Sequence, residues 1–513
     1  MGAPPPVSAR TVLRAIGPIR LFLGAALLAL MVASSAGIGR PPDDVRSSGT
    51  VTGGDTGDRD GLKPNSADRL LFWINVTDLR AMTDADLDLW RSRGVDGFVA
   101  QSQWLAGMGS NYWFTPDPRA DLSDPRYALQ RSLRDSKVVD RAKARGMKLY
   151  LAFNLVGIDN PVTPLVDWFD DAGWDGKVLP RVSELAGAAR LLGFDGLALD
   201  QELYPQAGGV TTASWTLGYR GNTHSLDETR RKVTARGQQL MASILGQFPA
   251  VELSVYGSMF PDSWDELVQQ KVNGMSSYEG SAQLPFWDGM TSVEGYRAIR
   301  FSDAIFYKVT HLRGATWDTA NQYNVNRLYA MFSRRFSNWS YASSHVFVSP
   351  FAWIDAGTTD FEKARPPGVV ADQLLAFRTW ATGGELMNFT LQLRKFDYEP
   401  YVPGMVAAST PAVVDREPPR LEVTSVTRSG AGLEIKGTAT DNLGIQAVRA
   451  GRDGTGPAAA MTWTVLDGSY ESSWNWRMDW TLTTAMPAGA SEVDVTAVDI
   501  KGLTTTVKVP SPS

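Results

Sequence analysis

Arg181-Val-Ser-Glu-Leu-Ala-Gly-Ala-Ala-Arg-Leu-Leu192 is a helix-like run, and after Gly193-Phe-Asp195 it gives way to the strand-like Gly196-Leu-Ala-Leu-Asp-Gln-Glu202. A helix feeding a short apolar strand is the building unit of a parallel α/β sheet. The same alternation extends in both directions. Strand candidates are Leu70–Val76, Gly97–Gln101, Lys148–Leu155, Gly196–Glu202, Glu252–Tyr256, Ala304–Val309, His345–Phe351 and Glu385–Thr390. Further helix-like runs lie between them at Asp84–Arg93, Ser136–Arg145 and Leu226–Phe248. Eight strands in this order suit a (β/α)8 TIM barrel with enlarged loops. An open doubly wound sheet would also alternate, but it would carry a Gly-rich phosphate loop after its first strand. Here Leu71-Phe-Trp-Ile-Asn-Val76 runs directly into Thr77 and Asp78. Residues 67–415 are therefore expected to form the barrel. Its sixth strand has two candidates, Ala304–Val309 or Val272–Tyr278.

The character changes after Glu417-Pro-Pro419. Leu421–Val426, Leu433–Thr438, Ile445–Arg449, Met461–Val465, Met478–Thr484, Ala490–Ala497 and Thr504–Val509 alternate apolar and polar residues between Gly or Asp turns. Short strands at that spacing predict an all-β sandwich over 417–511. Thr438-Ala-Thr-Asp-Asn-Leu-Gly-Ile445 and Val493-Asp-Val-Thr-Ala-Val-Asp-Ile-Lys-Gly502 resemble the bacterial immunoglobulin-like modules appended to secreted enzymes. At the other end, Arg10, Arg14 and Arg20 precede the apolar run Leu21–Ala33, and Ser34, Ser35 and Ala36 come after it. This is the order of a secretory signal over 1–36. An uncleaved signal anchor is the alternative, because apolar character continues to Ile38 and a span needs roughly 20 residues. Either one would export the barrel and the sandwich. Residues 37–66, rich in Gly, Asp, Ser and Pro, suit a flexible linker.

Composition narrows the chemistry. The net charge of −5 comes with no long basic block, which argues against a nucleic-acid partner. The chain has no cysteine, so thiolate nucleophiles and Cys-ligated zinc are excluded. The three histidines, His224, His311 and His345, are not spaced as a metal pair, and neither a metal nor a cofactor is expected. Seventeen tryptophans exceed the usual needs of a core. Aromatic rings stack on the apolar faces of sugars as well as filling interiors. A polysaccharide or oligosaccharide is the expected partner, and contact with a membrane is expected only through an uncleaved anchor.

Alternate residues of a strand share a face, so Ala198, Asp200 and Glu202 point one way and Leu197 and Leu199 the other. In a barrel the leucines pack on the outer helices. The acids then face the interior near the strand's C-terminal end, where barrel enzymes keep their sites. Positions two apart on a strand are roughly 6.5–7 Å apart. At that distance two carboxylates repel, which favours keeping a proton on one of them, as a general acid requires.

The run Asp195-Gly-Leu-Ala-Leu-Asp-Gln-Glu202 resembles the fourth-strand signature of family 18 chitinases and their relatives, Asp-Gly-hydrophobic-Asp-hydrophobic-Asp-aromatic-Glu. Asp195, Gly196, Asp200 and Glu202 match it. The resemblance implies that Glu202 is the general acid and that Asp200 assists a nucleophile supplied by the substrate's own acetamido group. Ala198 stands where the family has its middle Asp, and Gln201 where it has an aromatic residue, so the three-acid relay is broken. Met275-Ser-Ser-Tyr-Glu279 also resembles the family's Met-x-Tyr-Asp segment, with Tyr278 and Glu279 in the matching places. Glu385-Leu-Met-Asn-Phe-Thr390 has no clear counterpart of the family's final-strand Trp. The likeness spans a dozen or so residues and bears on the layout of the site, not on chitin as substrate.

A conventional glycosidase needs a second acid across the sugar, at about 5–5.5 Å for retention or 6.5–9.5 Å for inversion. Asp355, just beyond the seventh strand, and Glu279 are the two candidates. Asn154 and Tyr256 close the third and fifth strands and are placed to bind sugar hydroxyls, as is Tyr278. Trp104, Trp113, Trp287 and Trp353 fall in or near the loops expected at the same end, as stacking platforms or as packing residues. The expectation is an exported glycosidase with Glu202 as general acid/base. A non-catalytic barrel that binds envelope glycan is the alternative.

Overall fold

The computed structural model describes residues 69–101, 113–155, 165–201, 215–219, 221–258, 271–272, 275–276, 281–303, 314–353, 366–380, 385–389, 398–409, 415–430, 432–468, 474–487 and 489–512. The signal or anchor expected over 1–36 and the linker over 37–66 lie outside these residues. No helix among the described residues is long and apolar enough to cross a membrane.

Eight strands form a closed parallel barrel: β1 (Arg69–Asn75), β2 (Gly97–Gln101), β3 (Lys148–Asn154), β4 (Gly196–Asp200), β5 (Glu252–Ser258), β6 (Ala298–Asp303), β7 (Val346–Trp353) and β8 (Glu385–Phe389). Each pairs with its neighbours in sequence, and β8 pairs with β1 to close the ring. The outer helices include α1 (Asp84–Ser92), α2 (Ala128–Ser136), α3 (Val138–Ala144), α4 (Leu179–Leu192), α5 (Leu226–Gln247), α6 (Gln283–Ser292), α7 (Gly314–Arg335), α8 (Pro367–Trp380) and α9 (Val402–Ser409). Their starts are written locally. Thr83 with Asp86 and Ser225 with Glu228 form capping boxes ahead of α1 and α5, which satisfy backbone N–H groups that a helix start leaves open.

The sixth strand is neither of its two candidates. β6 is Ala298–Asp303, which ends just before Ala304–Val309, and Lys271–Val272 with Met275–Ser276 forms a short antiparallel hairpin outside the barrel. Arg300 disguised the strand, because a charge interrupts the apolar run of Ala298, Ile299 and Phe301, all fully buried. Inside the barrel that charge has a partner. Arg300 Nη1 donates to Glu252 Oε2 at 3.2 Å, and the Tyr150 hydroxyl donates to the same oxygen at 2.8 Å. Tyr150 reaches Glu252 across Gly196, with which both are in register. A Cβ on Gly196 would lie 2.1 Å from the Glu252 carbonyl oxygen, so only glycine fits there.

Higher in the bore, Trp73 of β1 meets Tyr256 of β5 edge to face, with ring centroids 4.5 Å apart. These strands stand on opposite sides of the barrel, so the contact exists only across its interior. It also reports the strand tilt. Hydrogen-bond register runs from Trp73 through Val99, Tyr150 and Gly196 to Glu252. The ring nevertheless touches Tyr256, two inward positions further along β5, as the stagger of a closed barrel demands.

Two helix-to-strand turns use one device. Gly94-Val-Asp-Gly97 and Gly193-Phe-Asp-Gly196 each begin with a glycine at positive φ, +85° and +86°, that stops the helix. Asp96 Oδ2 then accepts the Leu70 N–H and Asp195 Oδ2 the Leu149 N–H, each at 3.0 Å, clamping the start of the preceding strand. The second glycine of each turn lies against the backbone of the next strand.

The C-terminal strands are β9 (Arg420–Ser429), β10 (Gly432–Thr440), β11 (Ile445–Ala450), β12 (Ala460–Asp467), β13 (Asn475–Ala485), β14 (Glu492–Asp499) and β15 (Thr504–Pro510). They make two antiparallel sheets, ordered β9-β10-β13-β12 and β11-β14-β15. This sandwich docks on α7. Asn326 donates to Leu443 O and accepts from Ile445 N, both at 3.1 Å, and Ser333 Oγ accepts from Met461 N at 2.8 Å. Tyr323 packs against Trp463 and Trp474, whose indole N–H donates to Thr319 O.

Burial alone would raise the Glu252 carboxyl, but Arg300, the Tyr150 hydroxyl, Lys148 and Arg297 together hold it below the usual carboxylate range. Its contribution to stability is therefore full above about pH 4.3 and fades as the pH falls through the lower folded value. Glu252→Gln should cost about 3–5 kcal/mol by leaving Arg300 buried without its charge partner. Adding Arg300→Met should recover much of that loss. Denaturant unfolding of the single and double variants checks both expectations.

Candidate active site

Polar residues close the first four barrel strands at their C-terminal ends: Asn75, Gln101, Asn154 and Asp200. Asp200 is in register with Asn154 on one side and Tyr256 on the other. All three are buried, at 7%, 3% and 5% exposure. The Trp73–Tyr256 contact fixes the inward face of these strands, and Asp200, Asn154 and Tyr256 share it with Tyr150 and Glu252. Trp73 is itself oriented by its indole N–H, which donates to Gln101 Oε1 at 2.9 Å. A carboxylate flanked in register by an amide and a phenol is suited to hydrogen-bonding the hydroxyls of a sugar.

The opposite face of β4 is settled by Gln201. Its side chain accepts the Trp287 indole N–H at 2.6 Å, and its backbone carbonyl accepts from Gln283 Nε2 at 2.5 Å, both from α6. Gln201 thus points outward, and the inward direction expected for Asp200 is the consequence. Ala198, fully buried, sits in register with Ala152 and Ser254 inside the bore. The middle acid of the family 18 signature is absent there.

Trp287 differs from its expected place. It lies within α6, not in a loop, and is fully buried among Phe301 and the Gln201 side chain. It is a packing residue, and no sugar can stack on it. Trp113 packs on the Arg181 guanidinium of α4, 4.0 Å from the ring centroid. Trp353 is the last residue of β7, in register with Phe389. Glu202, Asp355, Glu279, Tyr278 and Trp104 lie outside the described residues. Among the histidines, His224 stacks on Phe169 and His345 on Tyr341, and His311 is outside the described residues. Asp195 serves the fold through Lys148 Nζ at 2.9 Å and the Leu149 N–H.

Trp73 and Gln101 escaped the sequence reading, although a signal was present. Gln101 ends an apolar strand in the same way as Asn154 and Asp200, and Trp73 lies two positions before Asn75 on the inward face of β1.

No protein family matches this sequence, and no curated protein matches it. Solved structures give slight likenesses. A glycoside hydrolase family 5 enzyme from Prevotella bryantii is 8% identical, over 64% of this chain and 86% of its own, with a TM-score of 0.35. An endocellulase from Pyrococcus horikoshii is 12% identical over 66% of this chain and 92% of its own, with a TM-score of 0.36. An endo-1,4-β-mannanase from Rhizomucor miehei is 13% identical over 70% and 98%, with a TM-score of 0.38. Similarity this slight assigns no activity.

Trp287→Phe should lower stability by about 1–3 kcal/mol, the cost of leaving the buried Gln201 oxygen without its donor. Because Trp287 supports β4 from behind, any affinity for saccharide should be unchanged in the folded variant. Thermal unfolding and saccharide titration on the same preparation check the two halves.

Proposed function

We propose that the chain is an exported glycoside hydrolase acting on a polysaccharide or cell-envelope glycan, with Glu202 as general acid/base and Asp200 as its partner. One observation carries the reading. Asp200 is a buried carboxylate at the C-terminal end of β4, flanked in register by Asn154 and Tyr256. Barrel enzymes keep their chemistry at that end. Glu202 follows two residues later in the sequence, at the same spacing as Ala198 from Asp200. Asp355 and Glu279 are the candidates for the second carboxylate, and their separation from Glu202 would set the stereochemical outcome. Export is supported by the Arg-flanked apolar run over 1–36. The sandwich reads as immunoglobulin-like. Its first, second, fifth and fourth strands share one sheet and its third, sixth and seventh the other, the grouping of a constant-type immunoglobulin domain.

Ala198 favours a second reading. With no acid at the middle position, a barrel that binds glycan without cleaving it keeps the hydrogen-bonding rim and loses the relay. Reducing-sugar release from a panel of envelope and storage polysaccharides separates the two. A hydrolase releases sugar, and Glu202→Gln should lower that release by at least about a hundredfold, since general-acid help is typically worth roughly 10²–10⁴. Full activity in the variant would sink the assignment of Glu202. Binding to one polymer with no release from any would favour the glycan-binding barrel.

A further inference from the structure

The two phrases that mark the sandwich, Thr438–Ile445 and Val493–Gly502, each contribute an acid to one point. Asp441 comes directly after β10, Asp499 ends β14, and Asp415 lies on the segment leading in from the barrel. One carboxylate oxygen from each lies within 4.8 Å of the other two. Each acid spends Oδ1 on its own loop. Asp441 Oδ1 accepts the N–H groups of Leu443 and Gly444 at 2.8 and 2.9 Å. Asp499 Oδ1 accepts those of Lys501 and Leu503 at 2.7 and 2.8 Å. Asp415 Oδ1 accepts from Glu417 N and Asn442 Nδ2 at 3.1 and 3.2 Å.

The three Oδ2 atoms are a different matter. All are buried, and none has a hydrogen-bond partner among the described residues. The Asp499 side chain that bears one of them is fully buried, at 0% exposure. Among the described residues, no ion pair joins any of the three acids to a Lys or Arg. Buried carboxylates without donors are costly unless they are protonated, paired or bound to a cation, and no paired cation is present here among the described residues.

We propose that Asp415, Asp441 and Asp499 form a Ca2+ site that locks the sandwich onto the barrel. The donors are all oxygens, which suits a hard cation and not zinc or copper. Three acids from three differently shaped loops suit the flexible six- to eight-oxygen shell of Ca2+ better than the strict octahedron of Mg2+, with water completing the shell. The placement gives the ion its role. The Asp441 loop is fixed to α7 through Asn326, which bonds Leu443 and Ile445, and through Gln322, which donates to Asn442 O at 3.4 Å. Asp499 belongs to the sandwich core, and Asp415 to the connecting segment. A cation held by all three ties linker, barrel-anchored loop and sandwich together. The proposal is independent of the activity of the barrel.

Calorimetric titration of the full chain with CaCl2 after EDTA treatment, together with scanning calorimetry, tests it. One Ca2+ should bind per chain, and a hundredfold excess over Kd should raise Tm by about 3 °C. Asp499→Asn and Asp441→Asn should each abolish binding and shift. In EDTA these variants should melt no lower than wild type, because they remove buried repulsion. Absence of Ca2+ binding to wild type overturns the proposal, and so does a Ca2+ response that survives in folded Asp499→Asn. Should Asp499→Asn fail to fold, Asp415→Asn, at the half-buried edge of the cluster, serves in its place.

Discussion

The contact between Trp73 and Tyr256 across the bore is the constraint on which the rest of the barrel depends. An eight-stranded barrel is stable only when its interior is filled by side chains from all sides. Here one indole spans the gap, aimed by Gln101 on the neighbouring strand. Beneath it, Tyr150, Glu252 and Arg300 fill the lower bore with a satisfied ion pair, and glycine at 196 lets that network cross β4. Above it, the strand ends carry Asn154 and Asp200.

Much of this was legible in the sequence. Alternation located seven barrel strands and all seven sandwich strands to within a few residues, because those strands are apolar or cleanly alternating. The sixth barrel strand was missed where a buried Arg interrupts the pattern, since pairing with Glu252 is a tertiary event that local text does not show. Trp287 was placed in a loop for the opposite reason, although packing was one of its two readings. A tryptophan between strands looks like a loop residue until α6 is seen to bury it against Gln201. The inward direction of Asp200 was legible from parity alone. The chemistry beyond it is less so, because Glu202, Asp355 and Glu279 fall outside the described residues.

Asp195 and Gly196 show how a motif can be half structural. They count among the matches to the family 18 signature, yet Asp96 and Gly97 repeat them at β2, with the same helix stop and the same clamp on the preceding strand. That half of the signature is explained by barrel construction. The part of the match that barrel construction does not explain is Asp200 and Glu202. The sandwich is likewise less separable than its sequence suggests. Trp474 packs on Tyr323 of α7, and Trp476 and Trp480 are buried. The face of α7 that meets the sandwich belongs to both domains.

The most direct measurement is a crystal structure of the Glu202→Gln variant soaked with an oligosaccharide drawn from a polymer that the protein binds. A sugar ring at the C-terminal mouth of the barrel, within hydrogen-bond distance of Asn154, Asp200 or Tyr256, is the predicted result. Saccharide bound on the sandwich or on the outer helices, with the mouth of the barrel vacant, would contradict it.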